Sequence, residues 1–533
     1  MSQSTYSLDS VSSLAAKGSR GYERLPFAVF GILIVAEIVT ILLLNGGMLV
    51  YSLDDAYIHL SLADRIWAGT YGINTGEVSA PASSILWPFL LASFASLPAS
   101  AYVLVPLLIN VASAFATLRL LVGELRVALS GAGTSGLAAA LFATVLIVGV
   151  NLVPIIFTGM EHSLQQLLAV VLVRGLIQEG RTARVPRSAW FAVALLPLLR
   201  YDSLALSVPA LAYFLWRGHV RGSLLAMLAM GVVMGAFSAF MLSHGLDLLP
   251  ASVMAKSDIA RTGGGPITLL RNLYSNLSGD TQANVLLFGA VLLFAGARDR
   301  NRAAPERGLA AVICAAMVID LLFGKLGAYY RYEVYLCGAM AMALIHLYRG
   351  MLARVLGSRA ALAQKIVVIG GLAVASLGYL VALASTPAAS NNIYDQQYQM
   401  HRFVVDFYRQ PVAVNDLGWV ALRNPNYVLD LGGLASREAL LARASEVGPE
   451  WLRRLTEQHG VRLVMIYDDW FPERPSGWVR LGQLTFDQMK VTAASTHVSF
   501  YATDAESAAP IRTSLEKFRD TLPKRTHFQL DTP

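Results

Sequence analysis

About eleven apolar runs separated by short polar loops constrain this chain more than any other feature. The first extends from Pro26 to Leu44. The others lie near 102–122, 134–156, 163–179, 188–199, 203–216, 223–243, 283–297, 308–324, 332–348 and 365–384. An α-helix rises about 1.5 Å per residue, so about 20 apolar residues cross a hydrocarbon core about 30 Å thick. Several runs are shorter than this, and the pair around Arg200 and Asp202 reads as a broken or partly re-entrant hairpin. With 55% hydrophobic and only 14% charged residues, the chain falls among polytopic membrane proteins. The run at Pro26 lacks a clear small-residue cleavage site and reads as a retained first span.

The net charge of +7 does not point to nucleic acid, because the basic residues collect in the loops. Lys17, Arg20 and Arg24 precede the first run. Arg174, Arg181, Arg184 and Arg187 occupy one loop region, Arg217 and Arg221 the next. Arg298, Arg300, Arg302 and Arg307 follow, then Arg349, Arg354, Arg359 and Lys365. All fall on one side if each run crosses once, and the positive-inside rule makes that side cytoplasmic. The segment 83–99 is apolar enough to cross. A crossing there would invert every later loop, so it is expected to lie at the outer surface or dip in. The expected plan is an α-helical polytopic membrane protein of about 11 spans, with its N-terminus cytoplasmic. A tail covers 1–25, the membrane domain 26–384 with a first outer loop at 45–101, and an extracytoplasmic domain 385–533.

In that last region charges become frequent and apolar runs shorten. "PVAVN", "NYVLDL", "VRLVMIY" and "HVSFYAT" read as strands from their β-branched content. "SREALLARASEV" and "PEWLRRLTEQHG" read as helices, the first capped by Ser436 and the second closed by Gly460. Strands alternating with helices predict a small α/β domain. Cys314 and Cys337 both sit in apolar runs, so neither a disulfide nor a thiol-ligated metal is expected.

This topology sends one set of polar residues to the outer face: Asp54, Asp55, Glu161, His162, Arg200, Asp202, Lys256 and Arg331. Adjacent carboxylates where a span leaves the bilayer can act as a general base toward a hydroxyl, or hold a divalent ion. They are equally readable as solvated loop acids. Glu161 also suits the first turn of a helix, and Arg200 with Asp202 also reads as an ion pair at a hairpin tip. Lys256 reads as a snorkelling lysine or a phosphate contact, and Arg331 beside Tyr329 and Tyr330 as an interfacial anchor. Together they amount to a carboxylate pair with two or three cations at one leaflet.

The stretch "DDAYIHLSLADRIWAGTYGINTGEVSAPASSILWPFLLA" resembles the first outer loop of bacterial polytopic glycosyltransferases of the GT-C superfamily. Asp54, Asp55, Ala56, Tyr57, Ile58, Ala63, Gly69, Gly72, Asn74, Gly76, Glu77, Ser84 and Trp87 carry the resemblance. "TGMEH", "RYD", "LPASVMAK" and "VNDLGWVALRNPNYVLDLGGLASRE" resemble further landmarks of that superfamily, with Tyr201 standing where relatives have Pro. The nearest kin in pattern are cell-wall arabinofuranosyltransferases and lipopolysaccharide or capsule sugar transferases. The resemblance implies a GT-C-like fold in a bacterial cytoplasmic membrane and a polyprenyl-phosphate sugar donor. It implies a glycan or glycolipid acceptor and usually inversion. It further implies that Asp54, or else Asp55, is the general base. Arg200, Lys256 and Arg331 would meet the donor phosphate, and Tyr57, Glu161, His162 and Asp202 would line the substrates. Asp54 and Asp55 are the expected ligands of any divalent cation, Mg or Mn. Two other functions fit the same outline: a flippase of lipid-linked sugars and a protein O-glycosyltransferase.

Overall fold

The computed structural model describes residues 8–130, 136–256, 265–357 and 359–532, without the side chains of 8–23 and 254–256. Among the described residues, every expected apolar run is largely helical. The membrane domain comprises α1 (Leu8–Leu44), α2 (Asp55–Trp67), α3 (Leu86–Ala92), α4 (Val105–Leu129), α5 (Gly136–Gly149), α6 (His162–Thr182) and α7 (Arg187–Leu199). It continues through α8 (Leu204–Trp216), α9 (Val220–Ser243), α10 (Thr281–Arg298), α11 (Ala304–Phe323), α12 (Val334–Leu347), α13 (Leu362–Ala375) and α14 (Leu377–Asp395). Among the described residues, five helices are long and apolar enough to cross a membrane, or up to seven if each bent pair is one span. Expected spans such as α7 and α8 have only 13 residues each, about 20 Å at 1.5 Å per residue. They meet at the break containing Arg200 and Asp202. The 83–99 segment holds only the seven-residue α3, far short of a crossing.

Burial sorts the helices as hydrocarbon would. α12 is buried along almost its whole length, and α6 packs against α4, α7 and α12. By contrast, no residue of α13 is fully buried, and α9 leaves Leu224, Leu225, Leu228 and Val232 exposed. Such faces are stable against lipid tails rather than water.

α14 runs unbroken past residue 385 to Asp395 and carries the chain into the C-terminal domain. The domain is a mixed six-stranded sheet of β1 (Val412–Val414), β2 (Val428–Asp430), β3 (Leu463–Ile466), β4 (Val479–Phe486), β5 (His497–Ala502) and β6 (Thr526–Leu530). The strand order is β2-β1-β3-β5-β4-β6. β2, β1 and β3 pair parallel; β3, β5, β4 and β6 pair antiparallel. α15 (Gly418–Ala421), α16 (Arg437–Ser445), α17 (Glu450–Gln458) and α18 (Ala505–Arg519) complete it. Ser436 caps α16 as expected, its hydroxyl accepting from the Ala439 N–H at 3.2 Å. β4, β6 and α18 were not among the expected elements.

Candidate functional site

Asp54 directly precedes α2, and its carboxylate reaches across to the C-terminal domain. The N–H groups of Gly418 and Trp419, at the start of α15, donate to it at 2.8 and 2.9 Å. A Cβ at Gly418 would lie 2.6 Å from the Asp54 carboxylate, so only glycine allows this approach. The rest of the first-loop motif continues the same seam. Asn74 donates to the Val428 carbonyl and accepts from its N–H, both at 2.9 Å, which satisfies part of the exposed edge of β2. Tyr427 donates to Glu77 at 2.8 Å, and Arg423 pairs with Asp64 at 3.1 Å. Gly159, at φ +69°, lets the "TGMEH" turn close on this loop, since a Cβ there would lie 2.7 Å from Ala56 and the Tyr51 ring.

Beside the seam is a cavity of about 750 Å³. The membrane domain contributes Asp54, Asp55, Asp280 and the turn Gly327–Arg331; the C-terminal domain contributes Gln397, Asp416, Trp470 and Lys490. Asp55 pairs with Arg331 at 2.6 Å. Asp416 accepts from Tyr467 at 2.6 Å and Gln397 at 3.0 Å. Burial, together with Asp416 and Asp55 nearby, pushes the Asp54 carboxyl up to about 8, against the pull of its two amide donors. Burial also raises Asp416.

Gly327, Ala328, Tyr329 and Tyr330 form one left-handed turn in the cavity wall, with φ of +80°, +48°, +65° and +56°. L-residues resist this conformation by about 1–2 kcal/mol each. The turn is closed by the Arg331 N–H on the Gly327 carbonyl at 3.1 Å, and Asn151 donates to the Tyr330 carbonyl at 2.8 Å. It delivers Arg331 to Asp55. Ala328→Gly is therefore expected to stabilise the protein by about 1 kcal/mol, read as a rise in melting temperature. An unchanged or lower melting temperature would contradict the strained turn.

A second cavity of about 270 Å³ lies next to Tyr332, lined by Arg200, Asp202, Asp320, Lys325 and Ser252 among others. Arg200 is gripped by Glu161 at 3.0 Å and Asp202 at 2.8 Å. Gln165 donates to Asp202 at 2.8 Å. The guanidinium carbons of Arg200 and Arg331 lie 4.9 and 5.0 Å from the Tyr332 ring centre. One aromatic ring thus links the cations of the two cavities, an arrangement favoured by the ring quadrupole and the flanking carboxylates.

The structure therefore brings Asp54, Asp55, Glu161, His162, Arg200, Asp202 and Arg331 to one end of the helix bundle. Only some of them face a cavity. Tyr57 is fully buried, with its hydroxyl accepting from the Tyr51 N–H at 2.8 Å and its ring 4.1 Å from that of Trp419. Glu161 and His162 are fully buried as well, Glu161 holding Arg200 in place. The Lys256 side chain lies outside the described residues. Asp416, Tyr332, Lys325 and Lys490 were given no role from sequence. Asp416 and Gly418 in "NDLGW" were the available sign, a carboxylate beside a glycine in the domain's opening loop.

The residues do not suit a divalent ion. Both Asp54 oxygens take backbone amides, and Asp55 is bound to a guanidinium. Among the described residues no group of three or more His, Cys, Asp or Glu stands close enough to hold a metal.

Residues 391–501 match the family described as "Domain of unknown function (DUF8728)". No curated protein matches the chain. Among solved structures, the chain is similar to ArnT from Cupriavidus metallidurans, a structure described as bound to undecaprenyl phosphate. The identity is 12% and the TM-score 0.47, over 90% of this chain and 98% of that one.

Proposed function

We propose that this protein is a membrane glycosyltransferase of the GT-C type. In this reading it moves a sugar from a polyprenyl-phosphate donor to a glycan or glycolipid acceptor on the extracytoplasmic face of a bacterial cytoplasmic membrane. The observation that carries the reading is the cavity at the seam, where Asp54, Asp55 and Asp416 face Arg331 and Lys490. The positive-inside reading of the loop charges supports an extracytoplasmic position for that end of the bundle.

Asp54 takes the proton of the acceptor hydroxyl as the hydroxyl oxygen attacks the anomeric carbon. The bond from that carbon to the phosphate oxygen breaks, and polyprenyl phosphate leaves with the bonding pair. Attack opposite the leaving group inverts the anomeric centre. Arg331 meets the charge that develops on the phosphate, and the left-handed turn holds it there before reaction begins. Arg200 and Lys325 offer a second cationic wall for the donor phosphate or an anionic acceptor. Asp416 and Trp470 make the C-terminal domain part of the substrate chamber.

The experiment is turnover of a panel of polyprenyl-phosphate sugars by the purified protein with candidate acceptors, followed by mass spectrometry. Loss of one donor with appearance of polyprenyl phosphate supports the reading; no turnover of any donor opposes it. Two further outcomes follow. Turnover is expected to be unchanged by EDTA, because the carboxylates are already engaged; loss on chelation, restored by Mg or Mn, would overturn this. The second concerns pH. A base is active only when deprotonated, so kcat/KM is expected to rise with pH, reaching half its maximum near about 8 and levelling off above that. A flat profile from about pH 6 to 9 would contradict Asp54 as the base. Stability moves the other way. The native state holds the Asp54 proton more tightly than the unfolded chain, so this group costs stability as pH rises from the ordinary carboxylate range to about 8.

A further inference from the structure

A cavity of about 760 Å³ lies between α4 and α6 at the end of the bundle away from Asp54. Arg119, Arg174, Arg181 and Glu124 line it together with apolar side chains including Phe115 and Val171. Arg174 stands about 18 Å along α6 from His162, and Arg119 about 21 Å along α4 from Val105, at about 1.5 Å per residue. Both distances exceed half the thickness of a hydrocarbon core, which is about 30 Å. Arg181 pairs with Glu124 at 3.1 Å, and His346 also binds Glu124, at 2.8 Å. Arg119 and Arg174 are exposed and form no ion pair among the described residues. The cavity wall thus carries three guanidiniums and one carboxylate, which is already paired with Arg181 and His346, beside a face of Phe, Leu and Val.

Charges at this depth normally face the bundle interior or a partner. Snorkelling alone accounts for the stems of Arg119 and Arg174 but leaves a cavity of this size beside them unfilled. We propose that it binds an anionic membrane phospholipid of the cytoplasmic leaflet. The lipid phosphate is held by Arg119 and Arg174 as planar, bidentate donors, and one acyl chain lies along Phe115 and Val171. The site is separate from the sugar-transfer cavity and does not depend on the function proposed for it.

The test is native mass spectrometry of the full-length protein after incubation with equimolar phosphatidylglycerol and phosphatidylcholine. The wild type is expected to retain phosphatidylglycerol at least about tenfold over phosphatidylcholine, and Arg119→Gln/Arg174→Gln to retain the two about equally. Val171→Trp keeps both cations while filling the apolar side, and is expected to lose the preference too; it serves if the double variant does not fold. Equal retention of phosphatidylglycerol by wild type and both variants would overturn the proposal. Displacement of the lipid by inorganic phosphate at equal concentration would also overturn it, assigning the arginines to a free anion.

Discussion

Asp54→Asn is expected to slow release of polyprenyl phosphate by about a hundred- to ten-thousandfold while the protein still folds. The substitution keeps the shape of the side chain and removes the basic oxygen. One amide N–H of Gly418 or Trp419 keeps its acceptor; the other faces the new NH₂ group and loses its partner. An unsatisfied buried N–H costs about 1–3 kcal/mol, so a modest fall in melting temperature should accompany the loss. Stability and rate therefore have to be measured on the same preparation. A folded variant that retains the wild-type rate would remove Asp54 from the chemistry and leave it as a clamp on the C-terminal domain.

Arg331→Gln should slow release by about a hundred- to a thousandfold, with most of the effect in kcat. Arg331 is buried and lies 2.6 Å from Asp55, so its loss strips the cavity of its best-placed cation and removes this ion pair. Arg331→Lys keeps the charge but not the planar fork, and an intermediate rate is expected. If Arg331→Gln changed only KM, the guanidinium would be binding ground-state substrate and not the developing phosphate charge. An unchanged rate would place the leaving group elsewhere, with Arg200 and Lys325 as the next candidates.

The helices of the membrane domain were legible because hydrocarbon enforces long apolar runs, as in α4, α5 and α9. Four strands of the C-terminal domain were legible for a related reason: β1, β2, β3 and much of β5 are buried on both faces, the first three carrying Val, Leu, Ile and Met and β5 carrying Val, Phe and Tyr. β4 was hidden because "VRLGQLTF" mixes polar and apolar residues and its register shifts between Arg480 and Gly482. β6 is a short edge strand with alternating exposure, and α18 contains Pro510. The polar residues could be assigned to one face from loop charge alone. Their pairings could not, since Asp54 with Gly418 and Asp55 with Arg331 are separated by hundreds of residues and meet only through tertiary packing. Tyr332 illustrates the limit. In sequence it belongs to an aromatic stretch at a span end, and only the fold sets its ring beside two arginines.

The most direct measurement is polyprenyl phosphate released by wild type, Asp54→Asn and Asp55→Asn from one donor under identical conditions, with acceptor present. Release by wild type and its loss in Asp54→Asn is the predicted result. Donor bound but never released by wild type, or full release by both single variants, would contradict an acid-lined transfer site at the seam; the first of these outcomes would favour a flippase of lipid-linked sugars.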